Sequence, residues 1–175
     1  MICKNVDATV TAEKTDGLTL PKLLGEGETP ITVCFVCSGN TCRSPMAEAM
    51  LNYLGKGKYR AVSAGTNAFN GDGIAENAAL ALERAGVPSV EPHDYKNHRS
   101  SEIKFSDIVH SDMLVGMTSR HTFQLISAFP EYAEKMRFMP YDIPDPFMQS
   151  EAVYDKCLEM ITVGLRELFP DISAE

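Results

Sequence analysis

The chain has 175 residues, 44% hydrophobic and 23% charged, with a formal net charge of −8 at neutral pH. That length suits one domain with its own core, and the composition is that of an ordinary globular chain. The acidic balance excludes a nucleic-acid footprint, which needs clustered lysine and arginine, and no apolar run approaches the ~18 residues of a membrane span.

Residues 1–29 are polar and close on "GEGETP", a cluster of turn and breaker residues. They are expected to form an N-terminal extension, with the domain itself over residues 30–175. The opening "MICKNVDATVTAEKTDG" holds neither a continuous apolar segment nor a small-residue cleavage site. A secretory signal is therefore not expected, and a cytoplasmic location is. "ITVCFVC" (31–37) is a short β-branched apolar run, as a buried parallel strand should be. "SPMAEAMLNYL" (44–54) has helical spacing and stops at Gly55, "YRAVSAG" (59–65) is a second strand, and "IAENAALALERAG" (74–86) is a helix ending in glycine.

Further along, "SSEIKFSDIVHS" (100–111) reads as a short helix and "DMLVGMT" (112–118) as a third strand. "SRHTFQLISAF" (119–129) is a helix halted by Pro130, and "EKMRFMP" (134–140) holds a weak fourth strand. "SEAVYDKCLEMITVGLRELF" (150–169) is a long final helix with one apolar stripe. Alternating strands and helices imply an α/β fold: a small doubly wound, four-stranded parallel sheet with helices on both faces. Ligands in such folds bind beyond the carboxyl ends of the strands, which is where Cys37 falls.

The stretch "CSGNTCR" joins the first strand to the first helix. Backbone N–H groups of a small-residue loop can converge into an anion nest, and a helix N-terminus adds unpaired N–H groups and a positive dipole end. Arg43 supplies a planar fork for two phosphate oxygens, and Gly39 lets backbone approach the anion closely. Helix N-termini and neighbouring guanidinium groups favour the thiolate form of a cysteine, which is its nucleophilic form. Such a local device is what an acidic chain needs to hold an anionic substrate. Of the five cysteines, Cys3, Cys34, Cys37, Cys42 and Cys157, three crowd this stretch. Their odd number and uneven spacing suggest reactive or packing thiols rather than a disulfide framework. No His/Cys/Asp cluster has metal-ligand spacing, so no metal and no cofactor is expected. Displacing an alkoxide, phenolate or amine also requires a proton donor. "YDIPDPFMQS" offers two, Asp142 and Asp145, and on residue pattern alone they are nearly even.

"VCFVCSGNTCRSPMAEA" resembles the signature of the low-molecular-weight protein tyrosine phosphatases. The resemblance continues in order through "SAGT" (63–66), "NHRSSEI" (97–103), "LVGMT" (114–118) and "DPF" (145–147), covering roughly residues 31–169. It implies a flavodoxin-like sheet and phosphoryl transfer through a phosphocysteine on Cys37, with Arg43 as clamp. The phosphate-binding loop would be Ser38, Gly39, Asn40, Thr41, Cys42, Arg43 and Ser44. The family's Asp-Pro-aromatic motif falls on Asp145, making it the acid and then the base for the attacking water. Asn40 would hold the loop through residues matching Ser44, Ser63 and His98, and Ser44 would steady the sulfur as leaving group. Phe69 and Phe147 would wall the slot. Cys42 is either a small apolar filler or a resolving thiol that pairs with oxidised Cys37.

The chain departs from the family where an Asp usually precedes the serine and an Arg stands three residues after the histidine. Val62 and Ser101 stand there, so an ion pair is missing as a unit. Thr41 stands where phosphotyrosine-specific members carry a bulky aliphatic residue, and it resembles the bacterial protein arginine phosphatases. The expected substrate is accordingly protein phosphoarginine, with phosphotyrosine the alternative and Thr41, Phe69 and Phe147 the specificity residues. The expected ligands are a phosphorylated protein and inorganic phosphate or a similar oxyanion at the loop, and the expected state is a monomer. An arsenate reductase is disfavoured because no further cysteine lies between Cys42 and Cys157. A phosphate-binding adaptor without turnover is disfavoured by Arg43 and Asp145.

Overall fold

The computed structural model describes residues 29–173, so all but the last residue of the expected N-terminal extension lies outside the described residues. Four strands, β1 (Ile31–Cys37), β2 (Tyr59–Gly65), β3 (Met113–Gly116) and β4 (Met136–Phe138), form one parallel sheet in the order β2-β1-β3-β4. Five helices accompany them: α1 (Arg43–Leu54), α2 (Glu76–Arg84), α3 (Phe105–His110), α4 (Ser119–Ala128) and α5 (Glu151–Leu168). Because side chains alternate across a strand, β1 feeds two cores. Val33, Phe35 and Cys37 face the larger one with α1, α2 and α5, while Cys34 and Val36 face the smaller one with Ile108 of α3 and Leu125 of α4. A sheet buried on both faces needs a strand that is apolar throughout, and "VCFVC" is buried at every position.

The order places β1 between β2 and β3, so the chain leaves β1 on one side and returns on the other. The crevice at that reversal, beyond the carboxyl end of β1, is the place a doubly wound sheet offers a ligand. α1 starts within six residues of it and is buried over most of its length, including Arg43, Ser44 and Asn52. Pro45 falls in the first turn of α1, where its missing N–H has no helical acceptor to lose.

Only half of the segment 100–111 is helical. Ser100–Ile103 instead runs extended beside the end of β2, with Gly65 N–H donating to Ser101 O (2.9 Å) and Ile103 N–H to Gly65 O (2.8 Å). The helix waits until Phe105, where the Asp107 carboxylate accepts the Lys104 N–H at 2.8 Å and supplies the start signal. β4 is a strand of three residues within the segment 134–140, at the edge of the sheet. Among the described residues no helix is long and apolar enough to cross a membrane.

Candidate active site

Cys37 is the last residue of β1, and the loop that follows is tied down on its outer side. Thr66 N–H donates to Cys37 O (2.8 Å) and Asn67 N–H to Ser38 O (3.0 Å). A Cβ on Gly65 would stand 2.5 Å from Ser38 O, so this close approach requires glycine. With its carbonyls engaged outward, the loop keeps its amides for the inside. Asn40 N–H points at the Cys37 Sγ (3.3 Å), and among the described residues the N–H groups of Ser38, Gly39, Thr41 and Cys42 donate to no backbone carbonyl. Successive free amides that curve round a sulfur make a concavity for an anion.

Asn40 is the pin. It sits in the left-handed region (φ 54°) and is fully buried, a strained setting that asparagine tolerates when its side chain bonds locally. Its Nδ2 donates to Ser44 Oγ (3.0 Å) and Ser63 Oγ (2.9 Å), its Oδ1 accepts from Ser101 N–H (2.9 Å), and its backbone O accepts from His98 Nε2 (2.8 Å). Ser101, which replaces one half of the missing ion pair, thus ties the loop through its backbone. Val62 packs against the smaller core instead. Ser44 Oγ lies 3.0 Å from Cys37 Sγ and 3.3 Å from Ala64 O, so its one hydrogen can turn to the sulfur as negative charge gathers there.

Arg43 is 5% exposed. Its Nη1 donates to Ile143 O (3.3 Å), its Nη2 meets Asp145 Oδ2 at 2.6 Å, and its buried Nε has no partner among the described residues. An unpaired N–H on a buried cation is costly, and an anion in the loop would relieve it. Asp145 and Asp142, even on sequence, are separated here. Asp142 accepts from Ser119 N–H (2.6 Å) and Ser119 Oγ (3.1 Å), holding the start of α4, whereas Asp145 lines the slot. That slot, about 290 Å³, is bounded by Cys37, Thr41, Arg43, Phe69, Asp72 and Phe147 among others. Phe69 and Phe147 are largely exposed and form its rim. Cys42 is buried with its Sγ 3.4 Å from the Tyr154 hydroxyl, and burial is the main influence raising its thiol.

Three residues at the site had no functional signal in the sequence. Glu48 on α1 looks like an exposed helix acid, yet Ser63 Oγ donates to it at 2.5 Å, and burial pushes its carboxyl up to about 7. His121 on α4 lies 2.9 Å from Ser38 Oγ through Nε2. Asp72, in the loop after β2, faces the slot from its rim. A long-range contact leaves no mark on local spacing.

The fold that carries this geometry is shared with known proteins. Residues 32–175 match the family described as low molecular weight phosphotyrosine protein phosphatase. A protein-arginine-phosphatase of Geobacillus stearothermophilus is 33% identical over 132 residues, which cover 71% of this chain and 84% of that protein. The crystal structure of a low molecular weight protein tyrosine phosphatase from T. tengcongensis superposes with a TM-score of 0.74 at 31% identity, covering 81% of this chain and 99% of that one. The YwlE arginine phosphatase, in a variant with a phosphorylated active-site serine, gives a TM-score of 0.72 at 26% identity over 83% of this chain and 97% of its own. The chain belongs to the low molecular weight phosphotyrosine protein phosphatase family and is a cysteine-based protein phosphatase.

Proposed function

We propose that this member of the family removes phosphoryl groups from arginine side chains of proteins. The supporting observation is Thr41, at the wall of the slot. Its hydroxyl has one hydrogen-bond partner among the described residues, the weak Cys42 thiol at 3.6 Å. It is therefore available to a polar guanidino N–H, whereas a phenyl ring in the same place would leave it unsatisfied. Asp72 on the rim adds a negative charge that suits a cationic planar group, and Phe69 and Phe147 can stack on a guanidinium. The likeness to the arginine phosphatase of Geobacillus stearothermophilus points the same way.

In this reading the phosphoryl group enters the amide nest and occupies the Arg43 fork, including its unpaired Nε. Asp145 is thereby released from Arg43 towards the leaving atom. Asp145, freed from the ion pair, takes up a proton from solvent; Cys37 Sγ attacks phosphorus in line, the P–N bond breaks, and Asp145 passes that proton to the departing guanidino nitrogen. Water then attacks the phosphocysteine with Asp145 taking its proton, and the sulfur leaves as thiolate steadied by Ser44. Asn40, Ser63 and His98 hold the loop in shape throughout. The domain carrying this chemistry is residues 30–175.

Phosphotyrosine is the second reading, favoured by the same two aromatic walls, since they can also flank a phenol ring. The test is kcat/KM on phosphoarginine and phosphotyrosine peptides for the wild type and for Thr41→Ile. We expect a wild-type preference for phosphoarginine that the substitution reverses. A wild-type preference for phosphotyrosine overturns the arginine assignment.

A further inference from the structure

α4 begins beside the phosphate loop because β3 ends in Gly116, where any side chain would collide with Thr122. The first turn of α4 therefore lies against the loop, and His121 in that turn is 3% exposed. Its ring is held at both nitrogens. Nε2 is 2.9 Å from Ser38 Oγ, and Nδ1 is 2.8 Å from Thr118 Oγ1.

The charged groups that face the ring are Arg43 of α1, Arg120 of α4, and Asp145 and Asp142 of the segment after β4. Burial dominates, the two arginines act with it and the two aspartates oppose it, so the imidazole is pushed down to about 4. At neutral pH the ring is uncharged and carries one N–H. The cap at Thr118 favours Nε2. Its Oγ1 already accepts the backbone N–H of His121 (3.4 Å) as the cap of α4, so the hydroxyl hydrogen needs an acceptor. Among the described residues, Nδ1 is the acceptor within its reach. With Nδ1 accepting, the ring proton sits on Nε2 and is donated to Ser38 Oγ. Ser38 then accepts from behind, and its own hydrogen has no acceptor among the described residues. Ser38 lines the slot.

We propose that His121 is a positioning residue: by donating Nε2–H to Ser38 Oγ, it turns the Ser38 hydroxyl hydrogen into the slot to donate to an oxygen of the bound phosphoryl group. The inference rests on the slot being the phosphoryl site. It gives the loop a side-chain donor opposite Arg43, in addition to its amides. A hydroxyl donating to a dianion is a charge-assisted bond, and one fixed in advance has no orientation to find when the ligand arrives.

The test is the inhibition constant of inorganic phosphate for the wild type, Ser38→Ala, His121→Phe and the double variant. Loss of one charge-assisted bond predicts phosphate binding about tenfold weaker in Ser38→Ala. His121→Phe is expected to lose nearly as much, and the double variant no more than Ser38→Ala alone. A purely structural histidine would lower the melting temperature without this coupling. Additive losses, or unchanged phosphate affinity in either single variant, overturn the proposal. Should His121→Phe fail to fold, long-range proton–nitrogen correlation spectra of the wild-type imidazoles at pH 7 decide. A neutral His121 with its proton on Nε2 is expected, and a proton on Nδ1 or a doubly protonated ring overturns the proposal. If phosphate fails to compete with substrate at all, the slot itself has been misassigned. If it competes but the cycle is additive, only the role of His121 falls.

Discussion

The two sides of the slot are built differently. On one side the loop from Cys37 to Ser44 is pinned from behind: Asn40 and Ser44 are wholly inaccessible, and Ser63, His98 and Ser101 tie it from outside. On the other side, the segment bearing Asp145 crosses the ends of β3 and β4 with fewer ties. Ile143 N–H reaches Met117 O (2.9 Å), but the Asp145 side chain is 50% exposed and Met148 beyond it 85% exposed. The principal anchor of the Asp145 carboxylate is Arg43, the group a phosphoryl oxygen would claim. The difference suits the two tasks proposed for them. Binding a dianion in an acidic chain demands donors fixed in advance, because reorganising them would consume the binding energy. A proton carrier has to reach first a leaving group and then a water, which a rigid mount would hinder.

Substitutions on the two sides should therefore fail in different ways. The largest effect belongs to Cys37→Ser, which is expected to lose turnover by at least about 10⁴-fold while leaving the melting temperature close to that of the wild type. Turnover within tenfold of the wild type would remove Cys37 from the chemistry. Asp145→Asn comes next. It should slow release of a poor leaving group in a single turnover by roughly 10²–10⁴-fold and release of an activated phenol far less. An equal loss on both substrate kinds would mean that Asp145 acts by positioning rather than by proton transfer. Asn40→Ala, on the rigid side, should weaken phosphate binding and stability together, by about 1–3 kcal/mol, since it removes two donated bonds and leaves a strained backbone without its tether. A calorimetric melt beside the phosphate inhibition constant measures both, and a loss confined to kcat would contradict the division.

The smallest effect tests how far the rigid side extends. The Glu48 carboxyl is held at about 7 against an ordinary 4.5, mainly by burial, with the Ser63 hydroxyl opposing. A carboxyl that the fold keeps protonated contributes stability below the unfolded value, and that contribution is lost as pH rises from about 4.5 through about 7. His121 has the opposite sign: buried as a neutral ring, its contribution is complete above 6.5 and is lost as pH falls towards about 4. Glu48→Gln should match the wild type near pH 5 and exceed it at pH 8 by roughly 3–6 °C in melting temperature. Parallel melting curves across that range would show that Glu48 is not buried as a protonated group.

These two regions were unequally legible in the sequence. The loop side was open to it because strand, small-residue loop and helix are contiguous, and Cys37, Asn40 and Arg43 share one short stretch. The family likeness then carried the choice of Asp145 over Asp142, which local chemistry left even. The structure separates the two by a contact the pattern could not contain, the bond from the Ser119 amide to Asp142, 23 residues away. Glu48 and His121 were hidden for the same cause. Their partners, Ser63 and Ser38, lie 15 and 83 residues away, and nothing in helical spacing separates a charged residue facing water from one facing a hydroxyl. Residues 100–104 were misjudged as helix because their partner, the end of β2, is also distant. Propensity there is overridden by two backbone bonds to Gly65.

The most direct test of the division between a fixed loop and a loosely held acid is to trap the intermediate. Asp145→Asn is mixed with an activated aryl phosphate, quenched in acid, and its peptides are weighed by mass spectrometry. The account predicts that the peptide bearing Cys37 gains one phosphoryl group and retains it longer than in the wild type, because the loop still attacks while the water lacks its base. A variant that still turns over the aryl phosphate with no phosphoryl group on Cys37, or with one on another residue, would contradict it.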